Sequence, residues 1–118
     1  MKYLLLVCWD ADRMNGQTEP EPSAAPPEDD EGFPWLDDVQ ARGIWVSGDQ
    51  LAPPRRAHTV RVRGGKAMVT DGPFAETKEA VGGFDLIECG SLEEAVEIAA
   101  SHPIAELGAI EVRPLWGN

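Results

Sequence analysis

The amino-acid sequence predicts one α+β domain in which two helices cover one face of a largely antiparallel sheet. Three observations predict this fold class. Strand-like and helix-like patterns follow one another in the order β-α-β-β-β-β-α-β. Two alternating runs joined by Gly64-Gly65 are typical of a tight β-hairpin. The length of 118 residues fits one domain comfortably and two poorly, so residues 1–118 are assigned to a single domain.

The N-terminal part of the chain predicts a strand and then a flexible loop. Residues 2–9 form an apolar run whose length suits a strand buried on both faces, because a core helix would be longer. Residues 15–31 contain four prolines and six acidic residues but no basic residue. Such a segment has little apolar surface to bury and lacks four backbone donors, so we expect a flexible loop. A loop of this length is either disordered or a lid, and its composition favours disorder.

Seven further elements follow the loop. They are a helix at residues 33–42, strands at 44–48, 58–63, 66–71 and 84–89, a helix between Ser91 and Pro103, and a strand at 110–115. The first helix has Pro34 in its first turn and Gly43 at its end. In the hairpin, alternation puts Val60 and Val62 on one face and the neighbouring arginines on the other.

The second long helix has the clearest start signal. The Ser91 side chain can cap the first amides of the helix, while the Glu94 side chain can accept a hydrogen bond from the backbone N–H of the cap residue. This is the pattern of a capping box. Apolar residues recur at helical spacing until Pro103, which limits the helix. The closing strand contains Pro114, which favours the edge or the end of a strand.

The order of the elements predicts a ferredoxin-like arrangement, because a β-α-β core is repeated around one sheet. Two helices cover only one face of such a sheet, so the other face needs a partner, and a second copy of the chain is the simplest one. We therefore expect a homodimer whose contact covers alternating apolar residues such as Leu5, Val7 and Leu86.

The charge of the chain narrows the range of its partners. Ten basic and 21 acidic residues give a formal net charge of −11. An acidic surface repels phosphate backbones and anionic lipids, so the sequence argues against nucleic acid and membrane partners. No run approaches the ~18 apolar residues that a membrane span requires. Only two cysteines, Cys8 and Cys89, occur, and we find no export signal, so we expect a cytoplasmic protein with reduced thiols.

The stretch from Asp71 to Glu79 offers candidate chemistry. Gly72 allows a positive φ and Pro73 fixes the next turn, so Asp71 is held where a strand ends. A carboxylate held beside further ionisable groups can become a general base with a shifted pKa. The same pattern fits a turn in which Asp71 only bonds local amides, and composition alone favours that structural role.

Residues 69–79, which read Val-Thr-Asp-Gly-Pro-Phe-Ala-Glu-Thr-Lys-Glu, resemble the signature of the DGPF-motif proteins, a branch of the YCII-related family. The resemblance covers residues 1–9 and 41–116, including Gly82-Gly83, the last helix and the closing strand. It is interrupted at residues 15–31, where such proteins usually continue into a longer first helix.

This resemblance implies a dimeric α+β barrel with a small-molecule cleft near the subunit interface and no established reaction. It also implies two site residues, since Asp71 is the motif acid and His102 is the histidine after the last helix. At a helix C-terminus the carbonyl dipoles favour a protonated His102, so the two side chains can act as base and acid if the fold brings them together. His102 can equally well only cap the helix. Proteins of this kind are often associated with extracytoplasmic-function sigma factors, which implies a regulatory partner as an alternative.

Three functions therefore stay open. The leading hypothesis is a homodimer with a small-molecule pocket and cofactor-free acid–base chemistry, either isomerisation or elimination, with Asp71 as base and His102 as acid. Glu76 and Lys78 would shape the rim of that pocket, and Arg55 would hold an anionic substrate. The alternative is a non-catalytic binding or regulatory module. A third option is a dimer in which the motif only stabilises a turn.

The sequence predicts neither a cofactor nor a metal. No Cys/His spacing matches a zinc site. Gly64-Gly65 and Gly82-Gly83 lack the strand–glycine–helix context of nucleotide-binding loops. The four tryptophans either line an apolar ligand pocket or pack in the core and an interface, and ordinary packing is favoured.

Overall fold

The structure is a computed structural model that describes residues 1–18 and 33–118. These residues form an α+β fold of six strands and four helices, which confirms the predicted class. In chain order they are β1 (Lys2–Asp10), α1 (Ala11–Asn15), α2 (Pro34–Ala41), β2 (Trp45–Gln50), β3 (His58–Arg63), β4 (Lys66–Asp71), β5 (Glu79–Glu88), α3 (Leu92–Ala100), α4 (Ile104–Leu107) and β6 (Ala109–Pro114). A 3₁₀ turn at Pro54–Arg56 lies between β2 and β3.

Four of the strands form one antiparallel sheet in the order β2-β5-β1-β6. β1 pairs with β5 on one side and with β6 on the other, so Leu5 lies opposite both Asp85 and Val112. Among the described strands, β3 and β4 pair only with each other and form a second, two-stranded sheet. The large sheet is open, and the described residues form no closed barrel.

One face of the large sheet carries the core. Tyr3 and Leu5 of β1 and Ile87 of β5 are buried there, in one cluster with Trp35 and Val39 of α2. The cluster also contains a residue before β2 and the inner side of α3: Ile44, Ala95, Ile98 and Ala99. The indole Nε1–H of Trp35 donates a 2.9 Å hydrogen bond to the carbonyl of Ile98, which satisfies the buried ring nitrogen and joins α2 to α3.

The opposite face of the large sheet is apolar and only partly covered by the chain itself. Side chains alternate along a strand, so Leu4 and Leu6 of β1 lie on this face, and Leu86 shares it because it pairs with Leu4. The expectation that Leu5 and Val7 lie on this face is wrong, because their side chains are 0% and 7% exposed beneath the helices. A strand that is apolar on both faces carries no alternation from which its orientation could be read.

A short helix, α1, follows β1 directly and has no counterpart in the predicted elements. Its start is capped by Asp10, whose Oδ1 accepts a 2.9 Å hydrogen bond from the backbone N–H of Arg13. Met14 is buried on its inner side. Asn15, the first residue of the predicted loop, is the last residue of this helix, and residues 19–31 of that loop lie outside the described residues.

The hairpin of β3 and β4 has the predicted bounds and the predicted alternation. Gly64 and Gly65 join the strands with φ values of 57° and 77°, a left-handed conformation that glycine adopts without strain. Val60 lies directly opposite Val69, so the valines share one face of the hairpin.

The predicted helix signals are also present. The hydroxyl of Ser91 accepts a 3.2 Å hydrogen bond from the N–H of Glu94, while the carboxylate of Glu94 accepts one of 2.9 Å from the N–H of Gly90. α2 begins at Pro34, and Gly43 follows its end with a φ of 69°. None of the helices in the described part of the chain is long and apolar enough to cross a membrane.

Candidate functional site

Asp71, the predicted general base, is exposed at the open end of the β3–β4 hairpin. It is the last residue of β4, and its side chain is 95% exposed. Its Oδ1 lies 3.3 Å from Nδ1 of His58, which is directly opposite on β3 and is itself largely exposed. The next residue, Gly72, has a φ of 102° and donates a 2.7 Å hydrogen bond to the carbonyl of Ala57. The turn therefore closes the base of the hairpin and presents Asp71 to solvent.

The three residues predicted to bind substrate also lie at the surface. Glu76 and Lys78 are exposed in the segment between β4 and β5. Arg55 is exposed too, and its guanidinium donates hydrogen bonds of 3.0 Å to the carbonyl of Asn15 and 3.2 Å to that of Gln17. Its backbone N–H donates a 2.8 Å bond to the side chain of Asn15. These bonds join the end of α1 to the 3₁₀ turn.

His102 is the predicted site residue that the fold buries, with 5% of its surface exposed. It lies in the turn between α3 and α4. Its Nδ1 accepts a 3.0 Å hydrogen bond from the backbone N–H of Ile104. This is the first backbone N–H after Pro103, because proline has no N–H. An Nδ1 that accepts carries no proton, so the neutral ring bears its hydrogen on Nε2. The ring packs edge-on against Trp35 and Phe33, with centroids 4.7 Å and 5.2 Å away.

Asp85 is a second ionisable group on the same side of the sheet, and it is half-buried. It lies on β5 opposite Leu5, on the face that carries the core. Its Oδ1 accepts a 2.9 Å hydrogen bond from Nε1–H of Trp45 on β2. Gly48, its pairing partner on β2, leaves room for the carboxylate, because a Cβ at Gly48 would lie 2.7 Å from Oδ1 of Asp85 and 2.4 Å from the carbonyl oxygen of Phe84.

Asp85 and His102 line one cavity of about 620 Å³ between the sheet, α2 and α4. Large apolar residues line it, namely Trp9, Phe33, Leu36, Trp45 and Leu107. The other polar residues along it are Gln17, Asp49 and Gln50, of which Asp49 pairs with Phe84 and so projects its side chain from the opposite face of the sheet. No lysine or arginine is found among the described residues that line it. An apolar cavity with a few convergent polar groups has the form of a small-molecule site.

The pKa values of Asp85 and His102 are shifted toward each other. Burial raises the pKa of the Asp85 carboxyl, and this outweighs the lowering by the Trp45 hydrogen bond and by the charge of His102. Burial lowers the pKa of His102, against the raising effect of Asp85. The expectation that helix carbonyls favour a protonated His102 is therefore wrong. Its ring faces the first amide of α4, and loss of hydration is the larger effect.

The structure does not place Asp71 beside His102 within one chain. His102 lines the cavity described above, whereas Asp71 does not. A second cavity of about 560 Å³ lies nearer to the motif and is lined by Pro73 and Phe74 together with Cys8 and Arg56, but not by Asp71. Burial, followed by the charges of nearby glutamates, raises the pKa of the Cys8 thiol, which makes it a poor nucleophile.

The tryptophans divide between the two roles that the sequence left open. Trp9 and Trp45 line the His102 cavity, Trp35 packs in the core, and Trp116 is fully exposed. The described residues contain no group of three or more His, Cys, Asp or Glu side chains placed to hold a metal ion.

Asp85 is the site residue that sequence reasoning missed. A signal for it exists, because Asp85 is a lone acid inside the apolar run Phe84-Asp85-Leu86-Ile87 and takes a position on the core face of β5. A carboxylate buried at such a position has a perturbed pKa and is a candidate for function. Its neighbours, Trp45 and His102, are distant in sequence and are brought to it only by the fold.

Comparison with known proteins assigns nearly the whole chain to one family. A family model described as the YCII-related domain matches residues 1–117. An uncharacterised protein of Rhizobium meliloti (strain 1021) is 48% identical over 68 residues, which are 56% of this chain and 55% of that protein. The match thus spans about half the length of this curated relative.

Proposed function

This chain belongs to the YCII-related domain family. We propose that it binds a small, largely apolar molecule in the His102 cavity and catalyses removal of a proton from that molecule without a cofactor. The observation that carries the proposal is the pairing of a neutral histidine with a carboxyl group of raised pKa in one apolar cavity. Groups with shifted pKa values in a concave site are the usual equipment of acid–base catalysis.

The roles follow from the protonation states. A carboxylate whose pKa is raised is a stronger base than an ordinary aspartate, so Asp85 takes a proton from a carbon next to a carbonyl group. The C–H electron pair moves onto the carbonyl, and Nε2–H of His102 donates a hydrogen bond to the oxygen as its charge develops. Return of the proton at another carbon completes an isomerisation, and loss of a leaving group from the β carbon completes an elimination.

The walls of the cavity indicate the class of ligand. The indole rings of Trp9 and Trp45 with Phe33 favour a flat, apolar ring system. Asp85 supplies negative charge when it is ionised, and the described lining residues include no lysine or arginine to compensate it. A neutral carbonyl compound is therefore preferred over an anion.

Asp71 is the competing candidate for the base. Its exposed position requires a second copy of the chain to bring it to a cavity, because it lines neither of the two cavities above. We propose Asp85 first, since its carboxyl already lies in the same cavity as His102. Glu76, Lys78 and Arg55 have no role in this proposal within one chain.

The proposed assembly is a homodimer of two ferredoxin-like subunits that form an α+β barrel. The strand order β2-β5-β1-β6, with two longer helices on one face, supports the ferredoxin-like class. The half-covered apolar face of Leu4, Leu6 and Leu86 supports a second copy as its cover.

The proposal is tested with 2-tetralone, a neutral bicyclic ketone with acidic protons next to its carbonyl. Exchange of these protons for deuterium in buffered D2O is followed by ¹H NMR with and without the protein. We expect at least about tenfold faster exchange than in buffer alone. Quenching of tryptophan fluorescence by 2-tetralone without faster exchange would instead favour a non-catalytic binding or regulatory module, such as one acting in a sigma-factor system. If 2-tetralone neither quenches the fluorescence nor exchanges faster with the protein, the result would count against the site.

A further inference from the structure

Two glycines leave a patch of bare backbone in the sheet that forms one wall of the His102 cavity. Gly48 on β2 pairs with Asp85 on β5. Gly83, two residues before Asp85, pairs with Gln50 at the end of β2. All four residues line the cavity. Paired residues of an antiparallel sheet project to the same face, so Asp85 and Gln50 stand at diagonal corners of a patch whose other two corners carry no side chain.

The register of the strands places the side chain of Gln50 on the cavity face of the sheet. Gly83 also pairs with Val7 of β1, whose side chain is 7% exposed beneath the helices. Gln50 projects from the same face as its partner Gly83. The bonding of the two strands continues past Gln50, because the N–H of Leu51 donates a 2.9 Å hydrogen bond to the carbonyl of Gly82. The backbone of Gln50 is therefore held on both sides.

The two polar corners of the patch differ in chemistry. Asp85 ionises, whereas the carboxamide of Gln50 is uncharged at every pH and offers one acceptor oxygen and two N–H donors. Diagonal neighbours in a sheet are about 7–8 Å apart, a span that a planar ring system with a polar group at each end can bridge. Among the described residues, none forms a hydrogen bond with the side-chain amide of Gln50. The amide is thus available to a ligand that lies on the patch.

A second carboxamide, that of Gln17, belongs to a residue along the same cavity. The backbone N–H of Gln17 donates a 3.1 Å hydrogen bond to the carbonyl of Met14, and its own carbonyl accepts one of 3.2 Å from Arg55. The side-chain amide is therefore the polar part of Gln17 that is left to meet a ligand. Beyond the proposed acid–base pair and the tryptophans, the polar side chains that the described residues offer this cavity are carboxamides.

We propose that the cavity selects a planar carbonyl compound that carries a hydroxyl group at the end of its ring system away from the carbonyl. The ring lies on the bare backbone of Gly48 and Gly83, since glycine in a strand lets a ligand approach the backbone closely. The carbonyl meets Asp85 and His102, and the hydroxyl donates a hydrogen bond to Oε1 of Gln50. This inference names the substrate class of the proposed function and rests on it, but Gln50 acts on binding and takes no part in proton transfer.

The preference for a hydroxyl follows from the hydration of the Gln50 amide. A ligand with an apolar end displaces water from the amide and returns no hydrogen bond, whereas a hydroxylated ligand replaces the lost bond. One neutral hydrogen bond of this kind corresponds to about a twofold to tenfold difference in affinity. A carboxylate at the same end is disfavoured, because no lysine or arginine is found among the described lining residues.

Isothermal titration calorimetry with 2-tetralone and 6-hydroxy-2-tetralone tests the selection, since the two ketones differ by one hydroxyl on the ring remote from the carbonyl. We expect the wild-type protein to bind the hydroxylated ketone about fivefold more tightly. Gln50→Leu should remove this preference and bind 2-tetralone at least as tightly as the wild type does. Gln50→Glu keeps an acceptor oxygen and should keep the preference. The matched control is Gln40→Leu, which changes an exposed glutamine of α2 that does not line the cavity and should leave both affinities unchanged.

Two results overturn the selection by Gln50. One is equal affinity of the wild-type protein for both ketones, and the other is a Gln50→Leu variant with a native circular dichroism spectrum that keeps the full preference. Deuterium exchange measured on the same samples separates this inference from the acid–base function. Preferential binding without faster exchange would overturn the acid–base function alone, and faster exchange without a preference would overturn the selection alone. Binding of neither ketone would overturn both.

Discussion

Nε1–H of Trp45 donates a 2.9 Å hydrogen bond to Oδ1 of Asp85, which ties two neighbouring strands together at the wall of the cavity. This hydrogen bond stabilises the charged form of the Asp85 carboxyl, whereas burial destabilises that form. Asp85 is thereby held in one position and kept ionisable. This bond links the fold to the proposed chemistry.

Removing that donor should raise the pKa of Asp85 further. Trp45→Phe keeps an aromatic wall but loses the N–H, and a hydrogen bond to the charged form lowers a carboxyl pKa. We expect the acidic limb of the pH profile for 2-tetralone exchange to move to higher pH. Trp9→Phe is the matched control, since Trp9 lines the same cavity and donates no described bond to Asp85. An unmoved profile in Trp45→Phe would exclude the bond as a determinant of the Asp85 pKa.

Local sequence signals predicted much of the fold, and tertiary contacts account for what they missed. The turn at Gly64-Gly65 and the cap at Ser91 depend on neighbouring residues, and both were predicted. The orientation of β1 depends on which face meets the helices, which its continuous apolar run does not encode. Asp85 becomes a site residue only because Trp45, 40 positions earlier in the sequence, lies beside it. The family resemblance indicates His102, but it predicts Asp71 as the carboxylate beside it. The structure instead places Asp85 in the cavity of His102.

Replacing Asp85 by asparagine should slightly stabilise the protein at neutral pH. The folded pKa of Asp85 is raised above its unfolded value, so the stability that this group contributes is present at low pH and is lost as pH rises through the folded pKa. The asparagine side chain cannot ionise, and its amide oxygen can still accept from Trp45. We expect Asp85→Asn to gain no more than about 1 kcal/mol in unfolding free energy at pH 7, with little or no gain near pH 3.5. Urea denaturation at both pH values measures this, and a variant less stable at pH 7 would contradict a destabilising burial of the carboxylate.

His102 should titrate below its ordinary range and carry its hydrogen on Nε2. Its folded pKa is lowered from 6.5, so its contribution to stability is present above pH 6.5 and is lost as pH falls through the folded pKa. Long-range ¹H–¹⁵N NMR spectra of the ring distinguish the two tautomers and follow the titration. We expect an unprotonated Nδ1 at pH 7 and a midpoint below 6.5. A midpoint above 6.5, or a hydrogen on Nδ1, would contradict the bond from Ile104 and the role of His102 as a neutral donor.

Asp85→Asn and Asp71→Asn, compared side by side in the 2-tetralone exchange assay, test the central claim most directly. Both substitutions remove one carboxylate and keep a similar shape, and His102 is unchanged in each. If Asp85 is the base, Asp85→Asn should reduce the protein-dependent exchange rate by about 10²-fold or more, while Asp71→Asn should retain at least half of it. A loss in Asp71→Asn with full activity in Asp85→Asn would contradict the account and would assign the base to the exposed acid at the foot of the hairpin.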